Sequence, residues 1–440
     1  MADGKIVLKG IIRLVSSALI GSGNDERSDC DVILDAEGKP FIPATSLIGV
    51  LQHNIKPDKM EAKLKKFWGY TEGKDSLQSC LLCSDLYLKN DAKIIIRDGI
   101  KIDNKNGMVE FDKVRNTGKK YDYQVIDRGA EFGLKIVISF SDATKDFCKQ
   151  MAATILDALK NKKIRIGAKT NSGLGKIELV SEALQEYSFY NKEDVFKWLI
   201  GIDGNPFTET AFNIKKPVFT INATLQLKNS FIIRSYAEDA KAPDSTSIKS
   251  GDDFVITGTA LKGAIRSRAE KIAKTIKPDI AQQIIDDLFG YVDENNSNSK
   301  AKKGRVRIDE VILPRFCTEL QSRIKIDRFT GGVLEGALFD SMPLFSRKEE
   351  IENFNIEIVN CEEYEAGLLL LVLKDLWTGD LAVGGEKNVG RGVFEGVKAV
   401  ITWDDDEKAS LKKGDLSDLS NLTHFVESLN NLKEVVNDKK

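Results

Sequence analysis

Apolar and polar residues alternate from Lys5 to Leu14 and again from Val218 to Leu227, the period-two pattern of strands with one face in a core. Asp142 to Asn161 and Cys361 to Thr378 instead space their apolar residues as buried helices do, and each runs on towards a glycine-rich turn. Each half of the chain therefore predicts a strand, a loop, a helix, further strands, a second helix and a last strand. That order predicts an α+β class, with helices on one face of an antiparallel sheet.

The two halves match in detail. Ile42-Pro43-Ala44-Thr45-Ser46-Leu47-Ile48-Gly49 aligns with Ile256-Thr257-Gly258-Thr259-Ala260-Leu261-Lys262-Gly263, and Phe67-Trp68-Gly69-Tyr70 with Leu288-Phe289-Gly290-Tyr291. Ile100-Lys101-Ile102-Asp103 recurs letter for letter as Ile324-Lys325-Ile326-Asp327. The turn from Gly167 to Gly175 aligns with Gly385 to Gly392 when Lys169 is set on Lys387, with one residue fewer in the second copy. The displacement stays between 214 and 224 positions, so the chain reads as a duplicated module with small insertions. Gly201, Gly204 and Pro206 supply turn chemistry at the join. The expected domains are 1–207 and 208–403, followed by a polar helical tail at 404–440.

Composition then removes several function classes. At 440 residues and 42% hydrophobic the chain has ample material for a core. No apolar run approaches the length of a membrane span and no charged leader precedes an apolar stretch, so no membrane association is expected. Six cysteines without a framework spacing fit a reducing compartment, and a cytoplasmic protein is expected. His53 and His424 are the only histidines, which argues against catalysis by an imidazole pair. Lys+Arg 65 against Asp+Glu 67 leaves a formal charge of -2, so a polyanion has to be held by local basic patches.

One such patch begins at Lys262. Between 262 and 277, Lys262, Arg266, Arg268, Lys271, Lys274 and Lys277 stand against Glu270 alone, on a helix that opens at Thr259 with a capping hydroxyl. This is either a phosphate-binding face or a solvated one. The matching helix at Ser46 lacks the cations. The glycine turns, carrying Lys169 and Lys387, offer permissive φ and amide donors to a phosphate, and serve equally as plain turns. A second basic run, Lys300 to Arg307, reads as a loop entering a strand. Acidic loops precede both helix starts, with Asp25, Glu26, Asp29 and Asp31 in one and Glu238, Asp239 and Asp244 in the other. Their carboxylates either hold a hard divalent ion against a phosphate or form ordinary surface. Cys80 and Cys83 have metal spacing but no second pair nearby, and in an apolar run they read as core thiols rather than half of a zinc site.

Taken in order, Ile42-Pro43 with Ser46-Leu47 and Gly49, the Phe-Gly-Tyr element, the segment Ile326 to Gly332 with Gly336-Ala337-Leu338-Phe339-Asp340, and Gly385 to Gly392 resemble the RAMP superfamily. The chain looks similar to the backbone subunits of type III CRISPR effector complexes, as a type III-D-like tandem fusion of two. The resemblance implies a ferredoxin-like, RNA-recognition-type core in each copy, with inserted loops and hairpins. It implies a guide (CRISPR) RNA held through Ser46, Lys169, Gly173 and Gly175 in the first copy, and through Lys262, Arg266, Arg268, Lys387, Gly390, Arg391 and Gly392 in the second. It further implies a hairpin near Ile-Lys-Ile-Asp that wedges into the guide–target duplex. The implied partners are guide RNA, target RNA and other subunits of a CRISPR effector complex. Target cleavage would depend on a divalent cation such as Mg2+ and on an Asp in the loop before each helix: Asp29 in the first copy, and Asp244 in the second with Asp239 as the alternative. Two other classes stay open, a purely structural RNA-binding subunit with one or both acidic loops inert, and a histidine-dependent processing endonuclease, which two histidines fit poorly.

Overall fold

A computed structural model describes residues 2–23, 30–103, 108–112, 117–118, 120–214, 217–235, 243–292, 301–313, 316–346, 349–415 and 417–432. The chain forms two compact units. One comprises Met1–Gly99, Tyr121–Thr170 and Leu174–Lys215; the other comprises Ile100–Lys120, Asn171–Gly173 and Lys216–Lys440.

The main elements of the first half are β1 (Gly4–Leu14), α1 (Ala44–Asn54), α2 (Glu61–Trp68), β2 (Leu81–Cys83), β3 (Ile94–Ile100), β4 (Lys120–Ile126), β5 (Glu131–Phe140), α3 (Lys145–Lys160), β6 (Ile177–Ser188), α4 (Lys192–Ile200) and β7 (Asn205–Pro206). Five of the strands form an antiparallel sheet in the order β7-β6-β1-β5-β2. Ile6, Leu8 and Ile12 of β1 and Ile136 and Ile138 of β5 are fully buried in one core with Met151, Ile155 and Leu159. Those last three recur every fourth residue along α3, so one helix face covers the sheet. Each such side chain contributes about 1.5–3 kcal/mol by leaving water. Trp198 of α4 packs edge-on against Tyr187 at 5.2 Å, in a separate cluster with Val7 and Val137. Those strand residues alternate with the core-facing ones, so α4 covers the opposite face of the sheet.

The second half contributes β8 (Val218–Leu227), β9 (Arg234–Ser235), β10 (Thr246–Ser247), α5 (Gly258–Ile276), α6 (Ala281–Phe289), β11 (Val306–Ile308), β12 (Gln321–Ile326), β13 (Val333–Ser341), β14 (Glu350–Val359), α7 (Glu363–Thr378), β15 (Phe394–Trp403), β16 (Asp406–Lys412) and α8 (Thr423–Asn431). Its antiparallel sheet has the order β11-β14-β8-β15-β16. Along β8 the residues Phe219, Ile221, Ala223, Leu225 and Leu227 are buried, facing a core shared with Leu369, Leu373 and Leu376 of α7 and Leu261 and Ile265 of α5. Helix α5 starts one residue earlier than the sequence suggests, at Gly258. Its capping hydroxyl belongs to Thr257, not Thr259, and accepts from the Ala260 amide at 3.3 Å. In the first half the same task falls to a distant carboxylate, since Asp85 accepts from the Ala44 amide at 2.7 Å.

Without the outer additions, β1-α1-β2-β5-α3-β6 and β8-α5-β11-β14-α7-β15 share one βαββαβ order. In both sheets the strands lie fourth, first, third, second. This is the ferredoxin-like arrangement, so the chain is an α+β protein of two tandem ferredoxin-like domains. The segment read as a polar tail belongs to the second unit. There β16 pairs with β15 and buries Ala409 and Leu411, while Phe425 of α8 stacks on Trp403 with ring centroids 5.4 Å apart. Residues 433–440 lie outside the described residues.

Candidate RNA-binding and cleavage site

The two glycine turns have one backbone conformation, and it corrects their alignment. Gly173 and Gly390 have φ of 90 and 83, Gly175 and Gly392 have 74 and 73, and between the turns every position is displaced by 217 with no deletion. A Cβ on Gly175 would run into the Ile166 carbonyl oxygen, and one on Gly392 into the Val383 carbonyl oxygen. Lys169, at a left-handed φ of 54, is therefore matched by Glu386, also at 54, and not by Lys387. The shared lysine letters pulled the sequence alignment one residue out of register.

The charge at this position is reversed between the copies. Lys169 places its ammonium over the rings of Tyr121 and Tyr123, at 4.3 and 4.0 Å from the centroids. Glu386, with a side chain only 8% exposed, instead gathers three guanidinium groups. It accepts from Arg234 Nη2 at 2.9 Å, Arg323 Nη1 at 2.7 Å and Arg391 Nε at 2.8 Å. Burial raises the Glu386 carboxyl, and the arginines outweigh it, leaving it below the usual carboxylate range. Arg391, expected to meet RNA, is 3% exposed and turned inward, where it also donates to Ser230 Oγ at 3.0 Å and Gln321 Oε1 at 2.6 Å. It occupies the place of the buried Leu174 and braces the turn. Glu386, Arg234 and Arg323 escaped sequence reasoning; the 217-residue register, which sets Glu386 against Lys169, is the signal that finds Glu386.

Much of the basic character of α5 is spent inside the protein. Lys262 donates to the backbone carbonyls of Val306 at 3.1 Å and Asn171 at 3.3 Å, both in the second unit. Burial, followed by the Arg266 and Lys303 charges, pulls its ammonium down to about 8. Arg266 lies 3.8 Å from Asp286, Arg268 Nε donates to Asp375 at 2.5 Å, and Lys274 pairs with Glu270 one turn away. Partial burial, followed by the charge of Lys271, lowers the Lys387 ammonium. Of the run 300–307, Lys302 pairs with Asp287 and Arg305 with Glu365, while Lys300 lies outside the described residues. Ser46 sits half-buried in the first turn of α1, its amide donating to the Pro43 carbonyl at 3.0 Å.

Among the acidic candidates, Asp25, Glu26, Asp29, Glu238 and Asp239 lie outside the described residues. Asp244 is exposed, and its Oδ2 accepts from the Asp340 amide at 2.9 Å. The next residues, Ser245 and Ser341, form a parallel bridge, so the chain immediately after Asp244 runs beside the end of β13. Asp340 Oδ1 is buried without a hydrogen-bond partner. Strands β12 and β13 form a hairpin whose tip carries Phe329, 99% exposed, with Ile324, Ile326 and Val333 also on the surface. Cys80 Sγ donates to the Phe67 carbonyl at 3.4 Å, Cys83 Sγ to Ser84, and both thiols are free. Among the described residues no group of three or more His, Cys, Asp and Glu is placed to hold a metal ion.

A ferredoxin-like module used twice, each copy with the same tight glycine turn after its second helix, defines a duplicated ferredoxin-like protein. The family model of the RAMP superfamily matches residues 11–178 and 216–395, one stretch in each half and most of the chain together, and the chain belongs to that superfamily. Membership implies a CRISPR-associated, RNA-binding subunit of a multi-subunit complex. No curated protein matches the chain individually. Among the described residues no helix is long and apolar enough to cross a membrane.

Proposed function

We propose that the chain is a guide-RNA-binding backbone subunit of a type III CRISPR effector, two such subunits fused in tandem, and that it cuts target RNA complementary to the guide. The observation that carries this reading is the repetition of the whole functional framework: βαββαβ topology, helix and glycine turn in both copies, inside a RAMP chain. The exposed Phe329 hairpin supports it, since an apolar tip on a two-stranded arm suits insertion beside an unstacked base.

Cutting follows from strand distortion. A wedge that displaces one nucleotide brings its ribose 2'-hydroxyl into line with the adjoining phosphodiester. The 2'-hydroxyl loses its proton to water as its oxygen bonds to phosphorus, the bond to the 5'-oxygen breaks, and that oxygen takes a proton from water as it leaves, giving a cyclic phosphate and a 5'-hydroxyl end. In the second copy Asp244 and Asp340 are the carboxylates that would hold a divalent cation, and the buried, partnerless Asp340 Oδ1 fits that role. Such a cation, when bound, supplies positive charge against the developing charge on the phosphoryl oxygens. The first copy would rely on Asp29. The test is cleavage of a guide-complementary RNA by the assembled complex, with and without chelator. Cuts that vanish with chelator support the reading. RNA that stays bound and uncut in the presence of Mg2+ makes the chain a scaffold.

A further inference from the structure

We propose that Arg234 and Arg323, held in place by Glu386, form a phosphate seat for the RNA strand that passes Asp244. The inference rests on the RNA-binding reading above and adds to it a site that the glycine-turn sequence does not announce. Three guanidinium groups meet one carboxylate, so the cluster keeps a surplus of two positive charges. Arg391 has its donors engaged and is sealed from solvent. The other two differ. Arg234 commits Nη2 to Glu386 and is 47% exposed, whereas Arg323 commits Nη1 to Glu386, makes one long Nη2 bond to Gln321 Oε1 at 3.5 Å, and is 28% exposed. A partly exposed guanidinium that is anchored by an ion pair and keeps further N–H donors matches the paired oxygens of a phosphate.

The position of the pair connects it to the candidate cleavage carboxylate. Arg234 lies on β9, which pairs with β10, and β10 begins two residues after Asp244. Arg323 lies on β12 opposite Phe339, next along β13 to Asp340, whose amide holds Asp244. Ser245 bridges to the end of β13 and β12 is the strand paired with β13, so the backbones at Asp244 and Arg323 lie two strand spacings apart, roughly 10 Å. A few nucleotides of one strand span that gap. The first copy has Lys169 over tyrosine rings and Leu174 in the place of Arg391, so the seat belongs to the second copy alone.

The test is binding of a single-stranded RNA to the full chain across a salt series. Each phosphate contact contributes about 0.7 to the log–log slope, so R234Q/R323Q should lower it by about 1.4 and the more exposed R234Q alone by about 0.7. E386Q should keep or steepen the slope, because it removes the one negative charge, even as it costs thermal stability. A purely structural cluster gives the reverse: lower melting temperatures for all three variants with the slope of the wild type intact, and that result overturns the proposal. A folded R234Q that binds with the full slope overturns it too, even if the double variant fails to fold. Wild-type chain that binds no RNA at any salt refutes the wider reading and the seat with it, and is told apart from the first failure by the wild type alone.

Discussion

Replacing Lys262 by Met should make the protein more stable at neutral pH. The folded chain holds this ammonium at about 8 instead of the ordinary 10.5, chiefly through burial. At pH 7 the group is charged in folded and unfolded states alike, so the whole penalty for burying the charge acts, about 3 kcal/mol. Against it stand the hydrogen bonds to the Val306 and Asn171 carbonyls, worth about 1 kcal/mol each. Methionine keeps the length of the stem and drops the charge, so the net gain at pH 7 is about 1–2 kcal/mol. The sign with pH follows: the folded value lies below the unfolded one, so wild-type stability rises through this group between about pH 8 and 10.5, and the advantage of the variant shrinks over the same window. Urea unfolding of both proteins at pH 7 and pH 10 checks it. A variant less stable than wild type by the same margin at both pH values would refute the reasoning, since it would mean that Lys262 is not desolvated.

Three other outcomes are expected. Gly392→Ala should cost more than 1 kcal/mol in thermal unfolding, because its Cβ meets the Val383 carbonyl, whereas Gly390→Ala faces open space, carries only the left-handed φ at about 1 kcal/mol, and should lose RNA affinity beyond that. In the assembled complex Asp29→Ala should remove one set of target-RNA cuts and Asp244→Ala the other, each by orders of magnitude with binding little changed, and Asp340→Asn should weaken the Asp244 set alone, as read on a sequencing gel. Asp375→Asn should destabilise by about 2 kcal/mol at pH 7 by leaving Arg268 without its carboxylate. Burial raises the Asp375 carboxyl and the Arg268 and Lys374 bonds outweigh it, so the wild-type advantage is full above the ordinary 3.8 and is lost as pH falls below it.

The architecture was legible where periodicity is strong. Val218 to Leu227 reads as a strand and is β8, and the two long helices fall within the segments 142–161 and 361–378, because a one-faced strand or a buried helix leaves its period in the chain. The edge strand β16 was not legible: Asp406–Lys412 is polar apart from Ala409 and Leu411, and only pairing with β15 makes it a strand. The site was read less well than the fold. Arg266 and Arg268 look like a free cationic face until Asp286 and Asp375 arrive beside them, and Lys262 until the Val306 and Asn171 carbonyls do. Arg391 looks like a surface cation until Gln321 and Ser230 close over it. Such pairings depend on tertiary contacts that no local pattern records. The register of the glycine turns failed for another reason, since matching letters cannot detect that Glu386 and Lys169 share a φ.

The reversed charge at that shared position bears on how the duplicated halves can change from here. A lysine at 386 would set a fourth cation among Arg234, Arg323 and Arg391, and a glutamate at 169 would press an anion against the electron-rich faces of Tyr121 and Tyr123. Neither single exchange is neutral, so recombination between the two copies of the coding sequence that swaps only the turn yields a damaged protein. The halves can drift towards different tasks but can no longer overwrite one another piecemeal, and each turn is inherited together with the residues that surround it.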